Sequence, residues 1–132
     1  MEEMNIPKIP ISIGELVDKI TILEIKQEMF TDPQKIKNVQ QELYALNVIY
    51  KNMQLETKYP TIKEHVEKLR DLNRRLWSWE ERVRKRDEDG SFNQEFISLA
   101  RSIYNTNDLR YQIKREINLL TQSTLLEEKS YT

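Results

Sequence analysis

Four stretches of this chain place apolar residues every three or four positions, and no stretch alternates apolar with polar residues as a half-buried strand would. That periodicity admits helices packed on helices and little else. The clearest seam is Ile36, Val39, Leu43, Leu46, Tyr50 and Met53, with the 3, 4, 3, 4, 3 spacing of a heptad repeat. A second runs through Ile62, Val66, Leu69, Leu72, Leu76, Trp79 and Val83. A third runs through Phe92, Phe96, Leu99, Ile103, Thr106, Arg110, Ile113, Ile117 and Leu120, and its two middle members are polar. The remaining stretch is apolar on two faces, Ile13, Leu16, Val17, Ile20 and Leu23 on one and Ile22, Ile25 and Met29 on the other. A helix apolar this far round belongs at the centre of a bundle or under a second chain.

Start and stop signals divide the periodic stretches. Residues 5–11 contain Pro7 and Pro10 and read as an extended lead-in. Ser12 with Glu15, Thr61 with Glu64, and Ser91 with Gln94 have the spacing of capping boxes. Asp32 suits an N-cap with Pro33 at the first helical position. Lys58-Tyr59-Pro60 is a break, and Gly90 suits a left-handed C-terminal cap. These signals predict helices near 13–30, 33–55, 61–89 and 92–122, with no assignment for the tail, 123–132. Short connections favour antiparallel neighbours. The expected fold is therefore all-α, a four-helix antiparallel (up-down-up-down) bundle forming a single domain over residues 1–132. The last two predicted helices exceed the first two by on the order of 10–15 Å at about 1.5 Å per residue. Their hairpin is expected to project, and an apolar hairpin alone in water is unfavourable. Trp79, Val83, Phe92 and Phe96 are thus candidate interface residues, to be covered by the tail, a second copy or a partner.

Composition excludes several functions. Charged residues make up 33%, yet the net charge is −1. A dedicated binder of nucleic acid or anionic membrane would carry a basic excess. Arg70, Arg74, Arg75, Arg82 and Arg86 beside Trp77 read as a solvated face, and intrahelical pairs account for the charge run at 80–89. Nucleic acid is not an expected partner. The chain has no cysteine, hence no disulfide, thiolate nucleophile or cysteine-held metal. Its two glycines, Gly14 and Gly90, cannot form a phosphate loop or a dinucleotide fingerprint. The single His65 has no acid three residues before it, so neither a metal nor a cofactor is expected. No apolar run of about 18 residues suggests a membrane span. The start, Met1-Glu2-Glu3-Met4-Asn5, lacks the apolar core of a signal peptide. A cytoplasmic location is expected.

The first predicted helix also carries Glu15, Asp18, Lys19, Thr21, Glu24 and Lys26. Antiparallel packing sets its middle against Thr106 and Arg110, with Asn105, Asn107 and Asp108 alongside. A buried Arg110 needs a carboxylate, and Asp18 is at the right level, with Glu24 second. One reading is a pair that fixes helix register, as buried polar residues do in coiled coils. The other is a polar pocket of Asp18, Lys19, Glu24, Asn105, Asp108 and Arg110 for an anionic or hydroxylated ligand. Enzymatic versions of that pocket are a helical mutase or a magnesium-dependent pyrophosphohydrolase. Glu24/Glu28 and Glu80/Glu81 do not reproduce the paired acidic motifs that the latter requires.

Several segments carry a resemblance: residues 11–26, then Asn73-Arg74-Arg75-Leu76-Trp77, Tyr104-Asn105-Thr106-Asn107-Asp108-Leu109-Arg110, Lys114-Arg115-Glu116-Ile117-Asn118 and the terminal Glu127-Glu128-Lys129-Ser130-Tyr131. Together the chain resembles a family of small bacterial and phage helical proteins, a domain of unknown function. The family usually has proline where this chain has Ile13, a change that suits a first helical position. Members resembling it occur alone or attached to glycosyltransferase or helical-repeat proteins. The resemblance implies a link to sugar or polysaccharide metabolism and supplies no catalytic residue. Taken together, the expectation is a non-enzymatic helical interaction module, a homodimer or the partner of another helical protein, with a ligand-binding bundle as the alternative.

Overall fold

A computed structural model describes residues 5–130, which are all-helical and contain no strand. Residues 1–4, the acidic start, and 131–132, the end of the tail, lie outside the described residues. The helices are α1 (Ile13–Met29), α2 (Pro33–Asn52), α3 (Leu55–Lys58), α4 (Ile62–Glu88) and α5 (Gln94–Leu120).

Local chemistry explains most of the boundaries. Ser12 Oγ accepts from the Glu15 N–H at 3.1 Å, and Asp32 Oδ1 accepts from the Gln34 N–H at 2.9 Å. Each satisfies a donor that the first helical turn leaves unpaired. Gly90 ends the α4 connection at φ +69°, where a Cβ would be strained. Three expectations are corrected. Thr61 makes no side-chain cap, and the turn closes instead through its carbonyl, which accepts from the Glu64 N–H at 3.1 Å. Ser91 does not cap α5. Asn93 does, accepting from the Phe96 N–H at 3.1 Å, so the helix starts two residues later than expected. The second predicted helix is broken, because Gln54 takes φ 53° and turns the chain into the short α3.

With five helices, the contacts do not establish the expected four-helix antiparallel (up-down-up-down) bundle. α1 packs on α2, α4 and α5, and α4 packs extensively on α5, whereas α2 packs substantially only on α1. The central helix is thus the one that is apolar all round. The pairs Gly14–Asn118 and Asp18–Arg110 set α1 and α5 in opposite directions. Glu24–Arg70 and Glu28–Arg74 run in the same order along α1 and α4. The core at this junction is Val17, Leu55, Ile62, Leu69 and Ile117, with Ile13, Tyr50, Tyr59, Val66, Ile113 and Leu120 packed against it. The heptad seam of α2 is correspondingly thin. Only Val39 is buried; Ile36, Leu43, Leu46 and Tyr50 are half-buried and Met53 is exposed.

Candidate functional site

Asp18 is the centre of a polar cluster where α1, α4 and α5 meet. Its side chain is 1% exposed. Oδ1 accepts from Arg110 Nε at 3.0 Å and from Asn73 Nδ2 at 2.9 Å. Oδ2 accepts from Arg110 Nη2 and lies 3.7 Å from Lys114 Nζ. The Arg110 fork therefore grips the carboxylate at both oxygens, the strongest ion-pair geometry available to a protein. Asn73 Nδ2 also reaches the buried Thr21 Oγ1 at 2.9 Å, and that hydroxyl donates to the Asp18 carbonyl at 2.8 Å.

Lys114 extends the cluster. Its Nζ donates to Glu15 Oε2 at 2.7 Å and lies 2.9 Å from Glu127 Oε1. Glu127 belongs to the chain after α5, which folds back along that helix. Tyr111 donates to the Glu127 carbonyl at 3.2 Å, Arg115 pairs with Glu128 at 2.8 Å, and Lys129 sits over the Tyr111 ring at 5.3 Å. The tail thus closes the cluster from outside.

Close helix approach completes the arrangement. A Cβ on Gly14 would lie 2.5 Å from the Lys114 carbonyl oxygen and 2.9 Å from Asn118 Oδ1. Glycine lets α1 approach α5 so nearly that the Gly14 N–H donates to Asn118 Oδ1 at 2.6 Å. Ser123 Oγ accepts from the Ile13 N–H at 3.1 Å. With Ser12 Oγ on the Glu15 N–H and the Ser12 carbonyl on the Leu16 N–H, the N–H groups of residues 13–16 all have partners within the chain.

Burial opposes charge on Lys114, yet the Glu15 and Glu127 carboxylates and the Asp18 charge outweigh it and raise its pKa. Arg110 behaves likewise, burial opposing and Asp18 prevailing. A lysine acting as base or Schiff-base nucleophile needs the opposite shift. The cluster is a network of paired charges that spans α1, α4, α5 and the tail.

Of the six pocket residues expected from sequence, Asp18 and Arg110 meet as anticipated. Lys19 is half exposed and 3.6 Å from Glu15, its own helix neighbour. Glu24 turns to α4, pairing with Arg70 at 2.9 Å. Asn105 is exposed and Asp108 half-buried, and neither joins the cluster. The expected interface residues Trp79, Val83 and Phe96 are half-buried, while Phe92 is 62% exposed and meets Phe96 edge to face at 5.3 Å. His65 lies against the Thr61 carbonyl and 3.9 Å from Glu116. Among the described residues no group of three or more histidine or acidic side chains is arranged to hold a metal ion. No helix among them is long and apolar enough to cross a membrane.

The sequence reading missed Asn73, Lys114, Glu127 and Asn118 as members of the cluster. Asn73 had a signal, since Ile62, Val66, Leu69, Asn73 and Leu76 follow a 4, 3, 4, 3 heptad register.

The structure also contains a cleft of about 380 Å³ between α2, α3 and the α1–α4 seam. Val17, Ile20, Leu55 and Val66 line its apolar part. Tyr50 donates to Glu56 Oε2 at 3.1 Å on one wall, and the Arg70–Glu24 pair forms another. Burial and the Glu56 carboxylate push the Tyr50 phenol well above its ordinary pKa, which keeps it a neutral donor. The cleft exists because α2 leans on α1 and leaves α4 uncovered.

The chain belongs to a family of unknown function, DUF6165, whose model matches residues 7–132. No curated protein and no solved structure matches it.

Proposed function

We propose that this chain is a non-enzymatic helical assembly module that works as a dimer of identical subunits. The observation that carries the reading is the placement of polar and apolar groups. The buried charges satisfy one another, whereas large apolar side chains are left in water on α2 and on the α4–α5 hairpin. Among the exposed ones are Tyr44 and Ile49 of α2, and Ile97 and Tyr104 of α5. Tyr44 and Val48 on α2, and Ile97 and Tyr104 on α5, each share one helix face, the grouping expected of a contact surface.

The projecting hairpin belongs to this reading. The Phe30 and Trp77 rings lie 5.8 Å apart, which sets the end of α1 level with Trp77. The eleven residues of α4 beyond it, 78–88, span about 16 Å. They form an arm with α5, latched by Arg82 and Arg86 on Glu95. A cytoplasmic location fits a chain without cysteine. Light scattering on a sizing column tests the proposal. A mass of two 16.0 kDa chains at tens of micromolar supports it, and a single-chain mass at that concentration overturns it.

The α2–α3–α4 cleft favours a second reading, a small-ligand-binding bundle. Its volume is at the lower end for metabolite sites, and it combines an apolar floor with a few polar groups. Thermal melts with sugar phosphates, nucleotide sugars, dicarboxylates and magnesium nucleotides test it. A ligand at about 100 times its dissociation constant adds roughly 2.7 kcal/mol. A flat panel counts against this reading.

A further inference from the structure

We infer that the self-association proposed above, on which this inference rests, occurs through α2, as an antiparallel pair with the α2 of a second copy about a two-fold axis near Leu46. Residues 43–50, Leu-Tyr-Ala-Leu-Asn-Val-Ile-Tyr, contain no charged side chain in a chain that is otherwise one-third charged. They are apolar nearly all round, a pattern that in a helix calls for cover on every side. α1 covers one side only.

The uncovered side has its own periodicity. Lys37, Gln41, Tyr44, Val48 and Lys51 recur at 4, 3, 4, 3, a second heptad seam turned away from the Val39–Leu43–Leu46 seam, and all five are exposed. Tyr44 is 74% exposed and Val48 38%. The flanks of this seam hold neutral amides, Asn38, Gln40, Asn47 and Asn52, with Ala45. An amide donates and accepts, so it can pair with a copy of itself.

Charge selects the direction. The outer seam carries two lysines and no acid. A parallel pair would set each lysine against its own copy, which is unfavourable. In the antiparallel pair centred on residue 46, Tyr44 meets the partner's Val48, and Lys51 meets the partner's Gln41. Lys37 meets the end of the partner's α2 and the turn that leads to the partner's Glu56. This is the isologous arrangement that closes a dimer, each contact made twice. The hairpin tip suits a self-paired seam less well. Phe92 meets Phe96 edge to face, and the adjoining end of α4 is densely charged. A contact confined to one helix falls below the roughly 1,200 Å² of a standard interface, so dissociation in the micromolar range is expected.

The absence of cysteine makes a crosslinking test direct. A Tyr44→Cys chain mixed with a Val48→Cys chain should form the mixed disulfide in preference to either self-crosslinked product. Tyr44→Glu should convert the dimer to monomer with an unchanged circular dichroism spectrum, because Tyr44 contributes little to the fold. Phe92→Asp should remain dimeric. A dimer that survives Tyr44→Glu and falls apart with Phe92→Asp overturns the α2 assignment and leaves the dimer reading standing. A preference for 44–44 crosslinks overturns the antiparallel direction. A parent chain that is monomeric at 100 μM overturns both.

Discussion

Asp18→Asn is the substitution that most sharply tests the buried cluster. Asparagine keeps the size of the side chain and removes its charge. Arg110 then loses a bidentate carboxylate, and its Asn107 contact at 3.4 Å is a weak replacement. One amide hydrogen must also point at a neighbouring donor, because Arg110 and Asn73 both donate to this side chain. Removing one partner of a buried pair costs about 3–5 kcal/mol. The Arg110 side chain is 29% exposed, and Lys114 retains Glu15 and Glu127, so the cost is discounted below that range, to about 2–4 kcal/mol. In a domain of this size each kcal/mol shifts the melting temperature by roughly 3–6 °C, so a loss near 10 °C is expected. Urea unfolding followed by circular dichroism measures the free energy directly. The double variant Asp18→Leu/Arg110→Met should lose less than the sum of the single losses, because replacing both partners leaves no orphaned charge. A change below about 0.5 kcal/mol for Asp18→Asn, the range of ordinary surface substitutions, would refute the claim that this pair fastens α1 to α5.

Three further outcomes follow from the same geometry. Gly14→Ala should destabilise by about 1–3 kcal/mol, the cost of overpacking, although alanine favours helix by roughly 1 kcal/mol. A higher melting temperature would mean that α1 and α5 are not in such close contact. Gln54→Gly should stabilise by up to about 1 kcal/mol, since a side chain in the left-handed region is strained and glycine is not. A lower urea midpoint would count against that strain. The raised pKa of Lys114 stabilises the fold at and below the ordinary lysine value of 10.5, and that contribution is lost as pH rises through the higher folded value. Unfolding free energies should therefore fall above about pH 10.5, and Lys114→Met should lack that part of the alkaline loss.

The helices themselves were legible because capping chemistry is local. Ser12, Asp32, Pro33 and Gly90 act on neighbours within a few residues and mark their helix ends as expected, although the Glu15 carboxylate turns to Lys114 instead of closing a box with Ser12, and Thr61 and Ser91, chosen by the same spacing, do not cap. The Asp18–Arg110 pair was legible from level alone, since a charge interrupting an apolar seam needs a partner on the facing helix. The break at Gln54 was not, because neither glycine, proline nor asparagine marks it. Glu127 was hidden for another reason. It joins the cluster only because the tail folds back along α5, and no periodicity announces that return, whereas Lys114 lies on α5 itself, one turn after Arg110, and reaches Glu15 and Asp18 directly. The α2 seam was read correctly as a heptad, and its shallow burial was not foreseen. Its depth depends on whether a second helix covers it, which the spacing of one helix cannot specify. The uncovered outer seam of the same helix is the proposed seat of the second subunit.

Sedimentation equilibrium of the unmodified chain from about 1 to 100 μM decides whether two copies pair. A dimer closed through α2 shifts reversibly from one 16.0 kDa chain to two across that range, with no larger species, as an isologous pair requires. A single-chain mass throughout, or growth beyond two chains, would contradict it.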